Sequence, residues 1–221
     1  MRKARACGAG SLSRRSRLLV YAFSRIFWSG RIPHYGLNMT KIFLVRHASP
    51  DWKLKHIPYD IHPGPPLSPK GEQEAEALAD FLKAQGVVKL YYSPFERSAR
   101  TAQIVSNRNG IPCMEEIRLA EWRSVDEKED KLNERMSLVF DEISRESAAI
   151  GPIGLVSHGA PIAFLLLALG LENEKLTQFR KKFDGSNPLP PAGVWDAVWN
   201  EDKKIWNLEL IFIPSVREEV Q

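Results

Sequence analysis

The chain has 221 residues, 43% of them hydrophobic, which is enough to bury the core of one domain that carries tails. Its formal net charge of +4 is unevenly placed, because residues 1–38 hold eight basic and no acidic residues. The other 23 basic and 27 acidic residues give the rest of the chain a net charge of −4. The basic isoelectric point is therefore no evidence for nucleic-acid binding by the folded domain, and we expect none.

Residues 1–38 predict a basic leader outside the fold, disordered or removable. Arg25 interrupts the short apolar run at 18–23, so this run cannot span a bilayer, which needs about 20 apolar residues, and no secretory cleavage site follows it. An Arg- and Ser-rich segment without acids is typical of an organelle transit peptide. Because Met39 leads directly into the first strand, we favour a translation start there and a cytoplasmic protein, with an organellar location as the alternative. No stable membrane insertion is expected.

The two cysteines, Cys7 and Cys113, lack the spacing of a metal site, and a structural disulfide is not expected. This fits a reducing compartment. No metal or other cofactor is predicted. His56 and His62 lie in an irregular, proline-rich stretch at 51–66 and are predicted to be surface loop residues.

Periodicity and breaker residues predict an alternation of strands and helices along most of the chain. Ser68 as N-cap and Pro69 at the first turn begin the first helix, which Gly86 ends, and Ser93-Pro94 predicts a second start of the same kind. The predicted strands are 42–45, 87–92, one ending near 117, 153–157, 194–199 and 205–213, and the later helices are 126–147, 162–169 and 173–182.

This order predicts an α/β fold, a three-layer sandwich with a mostly parallel central sheet and helices on both faces. Only a short polar turn, 200–204, separates the last two strands, so they are expected to form an antiparallel pair at the C-terminus. The domain is expected to cover 39–215, with a frayed tail at 216–221.

Two histidines stand where buried strands end. Arg46-His47 follows the first strand and His158 follows the strand at 153–157. Each strand leads into a crossover helix, so right-handed connections place both histidines at one edge of the sheet, the edge where open α/β sheets bind ligands. Arg97 arrives there from a third junction between a strand and a helix, whereas Arg100 is expected to lie on an ordinary solvated helix face.

These side chains point to phosphate chemistry. Guanidiniums such as Arg46 and Arg97 match phosphate oxygens with two hydrogen bonds, and a neutral imidazole can form a covalent intermediate with phosphorus. Glu121, in the loop at 118–123, adds a carboxylate nearby. Charge neutralisation is expected to come from these side chains, because no Walker loop or carboxylate cluster is present.

Four motifs together resemble the histidine phosphatase superfamily, in its phosphoglycerate-mutase-like branch. They are Leu44-Val45-Arg46-His47, Leu67-Ser68-Pro69-Lys70-Gly71, Ser93-Pro94-Phe95-Glu96-Arg97 with Thr101-Ala102, and Ser157-His158-Gly159. The resemblance covers roughly residues 40–213 and preserves both order and spacing.

The resemblance implies that His47 is the phosphorylated nucleophile and that Arg46, Arg97 and His158 hold the phosphoryl group. The proton donor best matches Glu121, with Glu115 and Glu116 as alternatives. One departure is Ala48, where many members have glycine, which adds a methyl group beside the nucleophile.

Three functions are open at this point. We favour a phosphomonoester hydrolase that acts through phosphohistidine on a small phosphorylated metabolite. Only 37 residues separate Glu121 from His158, and a helix and a strand fill most of them, so no spare lid segment is predicted and the site is expected to be open. A cofactor-dependent phosphoglycerate mutase is the alternative, and a non-catalytic module that binds phosphorylated ligands is the alternative of another class. A small-molecule phosphate ester is the expected partner, and the sequence indicates no oligomeric state.

Overall fold

The computed structural model describes residues 39–215. The predicted leader at 1–38, the predicted tail at 216–221 and Cys7 lie outside the described residues. Cys113 carries a free thiol. Among residues 39–215, no helix is long and apolar enough to cross a membrane.

Strands and helices alternate over most of the described chain. In chain order they are β1 (Lys41–Arg46), α1 (Pro69–Ala84), β2 (Lys89–Tyr92), α2 (Glu96–Asn109), β3 (Cys113–Glu115), a 3-10 turn (Ile117–Leu119), α3 (Glu129–Ile150), β4 (Ile153–Ser157), α4 (Gly159–Ala168), α5 (Asn173–Lys182), β5 (Val194–Asn200) and β6 (Ile205–Phe212).

Six strands form one sheet in the order β3-β2-β4-β1-β5-β6. The first four are mutually parallel, whereas β5 runs antiparallel to β1 and β6 antiparallel to β5. The predicted α/β fold with a mostly parallel sheet and an antiparallel C-terminal pair is therefore confirmed.

The central strand β1 separates two cores. Successive side chains of a strand point to opposite faces. Phe43 and Val45 pack with α1 and α2 in one apolar cluster, and α3 and α4 pack against each other. Ile42 and Leu44, which alternate with Phe43 and Val45, are equally buried, so β1 is covered on both faces, as a central parallel strand must be.

Helix α1 begins as its sequence predicts. The Ser68 hydroxyl accepts a hydrogen bond from the Gly71 N–H at 3.0 Å, and Pro69 occupies the first turn. Helix α2 differs from the prediction: it begins at Glu96, and its N-cap residue, Phe95, offers no side-chain hydrogen bond. The Ser93 hydroxyl makes a different contact, which lies in the candidate site.

Other boundaries moved by a few residues. The charged run at 126–128 precedes α3, which begins at Glu129 and continues to Ile150. Helix α4 begins at Gly159, three residues before the predicted start, because the chain turns into the helix immediately after His158. Strand β3 ends at Glu115, and a 3-10 turn begins two residues later, at Ile117.

Candidate active site

The register of the two central strands brings the two histidines together. Arg46, the last residue of β1, is paired with Ser157, the last residue of β4. The residues that come next, His47 and His158, therefore leave the sheet side by side, and the His47 N–H donates to the Ser157 carbonyl at 3.0 Å. Their ring centroids lie 5.1 Å apart and both side chains are fully buried.

The hydrogen bonds of His47 fix its tautomer. Nδ1 lies 2.8 Å from the Ala48 carbonyl oxygen, which can only accept, so Nδ1 carries the proton. Nε2 lies 3.1 Å from Nε of Arg97, which can only donate, so Nε2 presents its lone pair. Burial, with the Arg97 and Arg46 charges, holds the pKa of His47 well below its usual value. His47 is thus a neutral imidazole with Nε2 as its nucleophilic nitrogen.

Arg97 occupies the centre of the cluster and has no exposed surface. Its Nε–H donates to His47, and Nη2 lies 3.1 Å from Nδ1 of His158 and 3.3 Å from Oε2 of Glu121. Nη1 donates to the Tyr59 carbonyl oxygen at 2.9 Å. One guanidinium therefore contacts both histidines and the glutamate.

His158 has the opposite tautomer. Because Arg97 donates to Nδ1, the proton is on Nε2, which donates to the Ser93 hydroxyl oxygen at 2.7 Å. Burial is again the first cause that lowers its pKa, with further lowering by Arg97 and His47. Both histidines are neutral, and the positive charge of the cluster comes from guanidiniums.

Glu121 is the glutamate that the fold brings to the histidines. Its Oε2 lies 3.5 Å from Nδ1 of His158, and its side chain is 9% exposed. Burial raises its pKa, although Arg97 opposes this effect. The two alternatives are placed elsewhere: the Glu116 carboxylate is engaged by Arg118 at 2.7 Å, and Glu115 lies exposed at the end of β3.

Arg46 contributes the second guanidinium. Its Nη1 donates to the Leu189 carbonyl oxygen at 2.9 Å and to Oδ2 of Asp184 at 3.2 Å, and its buried Nε lacks a hydrogen-bond partner among the described residues. Partial burial acts to raise the pKa of Asp184, but hydrogen bonds from Asn187 and Ser186 and the Arg46 charge lower it to about 2. Asp184 is therefore an anion that orients Arg46.

The second sequence motif fixes the loop that follows His47. The Glu74 carboxylate accepts from the Ser49 N–H at 2.7 Å, and the Ser68 hydroxyl donates to the Ser49 carbonyl at 3.1 Å. A Cβ atom on Gly71 would lie 2.1 Å from the Ser49 carbonyl oxygen, so only glycine permits this close approach. The Ala48 methyl group packs in the core cluster of α1 and α2, where it does not crowd the histidines.

The irregular stretch at 51–66 covers the site. The Tyr59 hydroxyl lies 3.0 Å from Nε2 of His47, and the Arg97 guanidinium lies 4.0 Å from the Tyr59 ring centroid. Gly64, at φ +72°, passes so close to Arg97 that a Cβ atom would come within 2.6 Å of Nη1. The expectation of an open site is therefore wrong, because the cover comes from the loop after β1 and needs no segment between Glu121 and His158.

A cleft of about 320 Å³ adjoins Glu121 on its outer side. Its floor includes Phe95, whose ring lies 5.2 Å from the His158 ring. Its walls come from the cover and from the loop before α3. The cleft is therefore the space next to a phosphoryl group bound at the histidines, and it can hold the rest of a phosphate ester.

Other predicted residues lie apart from this cluster. His56 and His62 are exposed in the cover, as predicted, and Arg100 forms an exposed ion pair with Glu72. Residues 39–215 contain no group of three His, Cys, Asp or Glu side chains that could hold a metal ion.

The chain is similar in sequence to known proteins. The family model of the histidine phosphatase superfamily (branch 1) matches residues 42–126, from β1 through Glu121. Over these residues the chain is similar to the histidine phosphatase superfamily. A probable phosphoglycerate mutase of Yersinia enterocolitica is 26% identical over 163 residues, which are 59% of this chain and 75% of that protein. One from Escherichia coli is 31% identical over 83 residues, which span only 38% of either protein.

Solved structures show a similar fold. A phosphoglycerate mutase from Bacillus anthracis aligns with a TM-score of 0.63 at 18% identity, over 79% of this chain and 93% of that one. A mycobacterial glucosyl-3-phosphoglycerate phosphatase aligns with a TM-score of 0.57 at 19% identity, over 80% and 99%. The names of these relatives include both phosphatases and phosphoglycerate mutases.

Three contacts of the candidate site were not predicted from the sequence. Tyr59 lies in a segment without periodicity, and Asp184 lies in the loop after α5, so neither carried a signal. Ser93 stood within a quoted motif but was assigned to helix capping, whereas its hydroxyl orients His158.

Proposed function

We propose that this chain is a phosphomonoester hydrolase that acts through a phosphohistidine on His47. The observation that carries the proposal is the neutral imidazole whose Nε2 lone pair faces the Arg97 guanidinium, near the Arg46 charge and a carboxyl of raised pKa. A nucleophile, charge stabilisers and a proton donor are the groups that a metal-independent phosphoryl transfer requires. A small-molecule phosphate ester is the proposed substrate.

In the first step, the phosphoryl dianion replaces the Tyr59 hydroxyl beside His47, and the Arg97 Nε–H turns from Nε2 to a phosphoryl oxygen, which frees the Nε2 lone pair. Arg46, Arg97 and His158 are the proposed phosphoryl-binding residues. The unpartnered Nε–H of Arg46 supplies one donor, and His158 donates once its Nδ1 takes up a proton, which the charge of the bound dianion favours. Nε2 forms a bond to phosphorus while the ester P–O bond breaks, and Glu121 gives its proton to the leaving oxygen. The Ala48 carbonyl oxygen, which accepts from Nδ1–H of His47, stabilises the positive charge that develops on the ring.

In the second step, water attacks the phosphohistidine. The Glu121 carboxylate takes the proton of the water, the P–N bond breaks, and the electron pair returns to Nε2. Inorganic phosphate leaves, and His47 and Glu121 recover their starting protonation states. The raised pKa of Glu121 supports its service first as an acid and then as a base.

Charge favours hydrolysis over phosphoglycerate isomerisation. A phosphoglycerate mutase must hold the substrate carboxylate, and a second phosphate in its bisphosphorylated intermediate, in addition to the transferred phosphoryl. Among residues 39–215, Arg97 donates to the histidines and to Glu121, and the Arg46 charge acts on His47, whereas Arg123 and Arg135 beside the cleft are paired with carboxylates. Two guanidiniums match one phosphoryl dianion and leave no surplus for further anions.

The test is a turnover screen of small phosphate esters, with and without EDTA, that monitors inorganic phosphate. Release unaffected by EDTA supports the proposal. With 3-phosphoglycerate as substrate, phosphate should appear faster than 2-phosphoglycerate. Efficient isomerisation that depends on bisphosphoglycerate would place the chain with the mutases, and tight phosphate-ester binding without any turnover would indicate a binding module.

A further inference from the structure

We infer that the cleft beside Glu121 selects phosphate esters whose leaving group carries no negative charge, either a neutral or a cationic alcohol. This inference rests on the proposed function, because it concerns the group attached to the ester oxygen at the same centre. It assigns the substrate class from the residues that line the cleft. Of these residues, Phe95 alone belongs to one of the four sequence motifs.

The cleft is the space into which a leaving group projects. Glu121 lies between it and the histidines, with Oε2 turned to Arg97 and His158. A carboxyl group that protonates the leaving oxygen must lie within hydrogen-bond reach of that oxygen. The atoms bonded to the leaving oxygen therefore continue past Glu121 into the cleft.

The walls of the cleft carry more negative than positive charge. Besides Glu121, the charged side chains that line it are three carboxylates and two guanidiniums, a net charge of −1: Asp60, Asp126 and Glu127 with Arg123 and Arg135. When Glu121 is ionised, the net charge is −2. The guanidiniums of Arg46 and Arg97 lie deeper and are matched by the phosphoryl dianion.

Both arginines of the cleft are already bound to its carboxylates. Arg123 donates to Asp60 at 3.0 Å and to Asp126 at 2.5 Å. Arg135 makes two hydrogen bonds with Glu127, at 2.7 and 2.9 Å, in the paired geometry that guanidiniums prefer. An incoming carboxylate or phosphate must break one of these pairs and then lie beside the carboxylate that it displaced.

The remaining lining suits an uncharged or cationic group. The Phe95 ring is 6% exposed and stacks edge-on against His62 at 5.9 Å, and Ile61 adds an aliphatic side chain. An apolar group gains contact with these surfaces, and an ammonium gains attraction to the surplus carboxylate. An anionic group gains neither.

The test uses three phenyl phosphates of similar length, with 2-aminoethyl, n-propyl or 2-carboxyethyl in the para position. The two-carbon spacer keeps their leaving-group acidities close. At low ionic strength, kcat/KM for the carboxyethyl ester should be about 5- to 10-fold below that for the propyl ester, as one like charge at a partly exposed site predicts. The aminoethyl ester should equal or exceed the propyl ester, and added salt should shrink the differences.

A variant assigns the selection to the cleft. Asp126→Asn frees Arg123 from one of its two carboxylates, so the ratio of propyl to carboxyethyl turnover should fall at least threefold. Asp202→Asn is the matched control: Asp202 is exposed in the turn between β5 and β6, at the opposite end of the sheet, and its loss should leave the ratio unchanged.

The possible failures are distinguishable. Carboxyethyl turnover equal to propyl turnover at low salt would overturn the inference and leave the proposed hydrolase intact. A ratio that Asp126→Asn does not change would overturn the role of this cleft. If none of the three esters releases phosphate, the proposed function itself is wrong, and the inference falls with it.

Discussion

The two sides of the site are built differently. On the sheet side, His47, Arg97 and His158 have no exposed surface and are positioned by strand ends and by each other. On the loop side, the cover and the cleft walls are held by exposed ion pairs such as Arg123 with Asp60, whose side chains are 31% and 51% exposed. Exposed ion pairs stabilise weakly, by about 0–1 kcal/mol. The sheet side therefore holds the catalytic side chains in a fixed geometry. The loop side can open to admit a substrate, and its cleft can select among substrates.

The largest effect should come from the sheet side. His47→Ala removes the nucleophile, so hydrolysis of an aryl phosphate should fall at least about 10⁴-fold, and no phosphoenzyme should form. His56→Ala, a change of the same kind in the exposed cover, should keep near-normal turnover. Steady-state phosphate release measures both. Turnover that survives His47→Ala would refute the mechanism.

The next largest effect should show whether Glu121 or Glu116 is the proton donor, a choice that the sequence alone left open. Glu121→Gln cannot protonate a leaving oxygen or activate water, so alkyl phosphate turnover should fall about 10²- to 10⁴-fold. An aryl phosphate needs little acid in the first step, so an acid-labile, alkali-stable label should accumulate on His47. Glu116→Gln is the matched control and should not trap the label, because Arg118 holds that carboxylate. Trapping by Glu116→Gln alone would reassign the acid.

Acid stability tests whether the buried side is as fixed as described. Folding keeps His47 and His158 neutral, so below about pH 6.5 the unfolded state takes up protons that the folded state refuses. The contribution of the two neutral histidines to the free energy of unfolding is complete above that pH. It falls by about 1.4 kcal/mol per pH unit for each histidine as the pH drops towards their lowered pKa values. The pKa of Glu121 is raised, so Glu121 acts oppositely, and Glu121→Gln should steepen the loss.

Urea unfolding at a series of pH values measures this slope. The double change His47→Asn and His158→Asn should flatten it, whereas His56→Asn, at an exposed position, should leave it unchanged because the effect depends on burial. An unchanged slope in the double variant would show that the two histidines are protonated in the folded protein.

The smallest effect belongs to the loop side. Tyr59→Phe removes the hydroxyl that must leave Nε2 before phosphorus can approach, so kcat/KM should rise about 2- to 10-fold, the value of one net hydrogen bond. Tyr91→Phe removes a hydroxyl that bonds Glu146 and Lys89 outside the candidate site, and it should not change kcat/KM. A fall in the Tyr59→Phe variant would mean that this hydroxyl assists the reaction.

The difference between the two sides also explains how much the sequence could predict. His47 and His158 were found because buried strands are readable from apolar runs, and parallel strands end at one edge. Ser68 was predicted as a helix N-cap and Gly71 was noted only within a motif, and the fold gives both residues a contact beside Ser49. Tyr59 could not be found, because its place depends on how an irregular loop folds back over Arg97.

The contact between Tyr59 and the nucleophilic nitrogen of His47 affects how tightly the product, inorganic phosphate, can bind. The Tyr59 hydroxyl on Nε2 and the Tyr59 carbonyl on Arg97 compete with any phosphate for the same atoms. A ligand that binds only the uncovered form has an apparent affinity reduced by the fraction of molecules in that form. Inorganic phosphate, which has no group to place in the cleft and so cannot offset this reduction, should be a poor inhibitor. The resting contact would then keep the enzyme working as its own product accumulates.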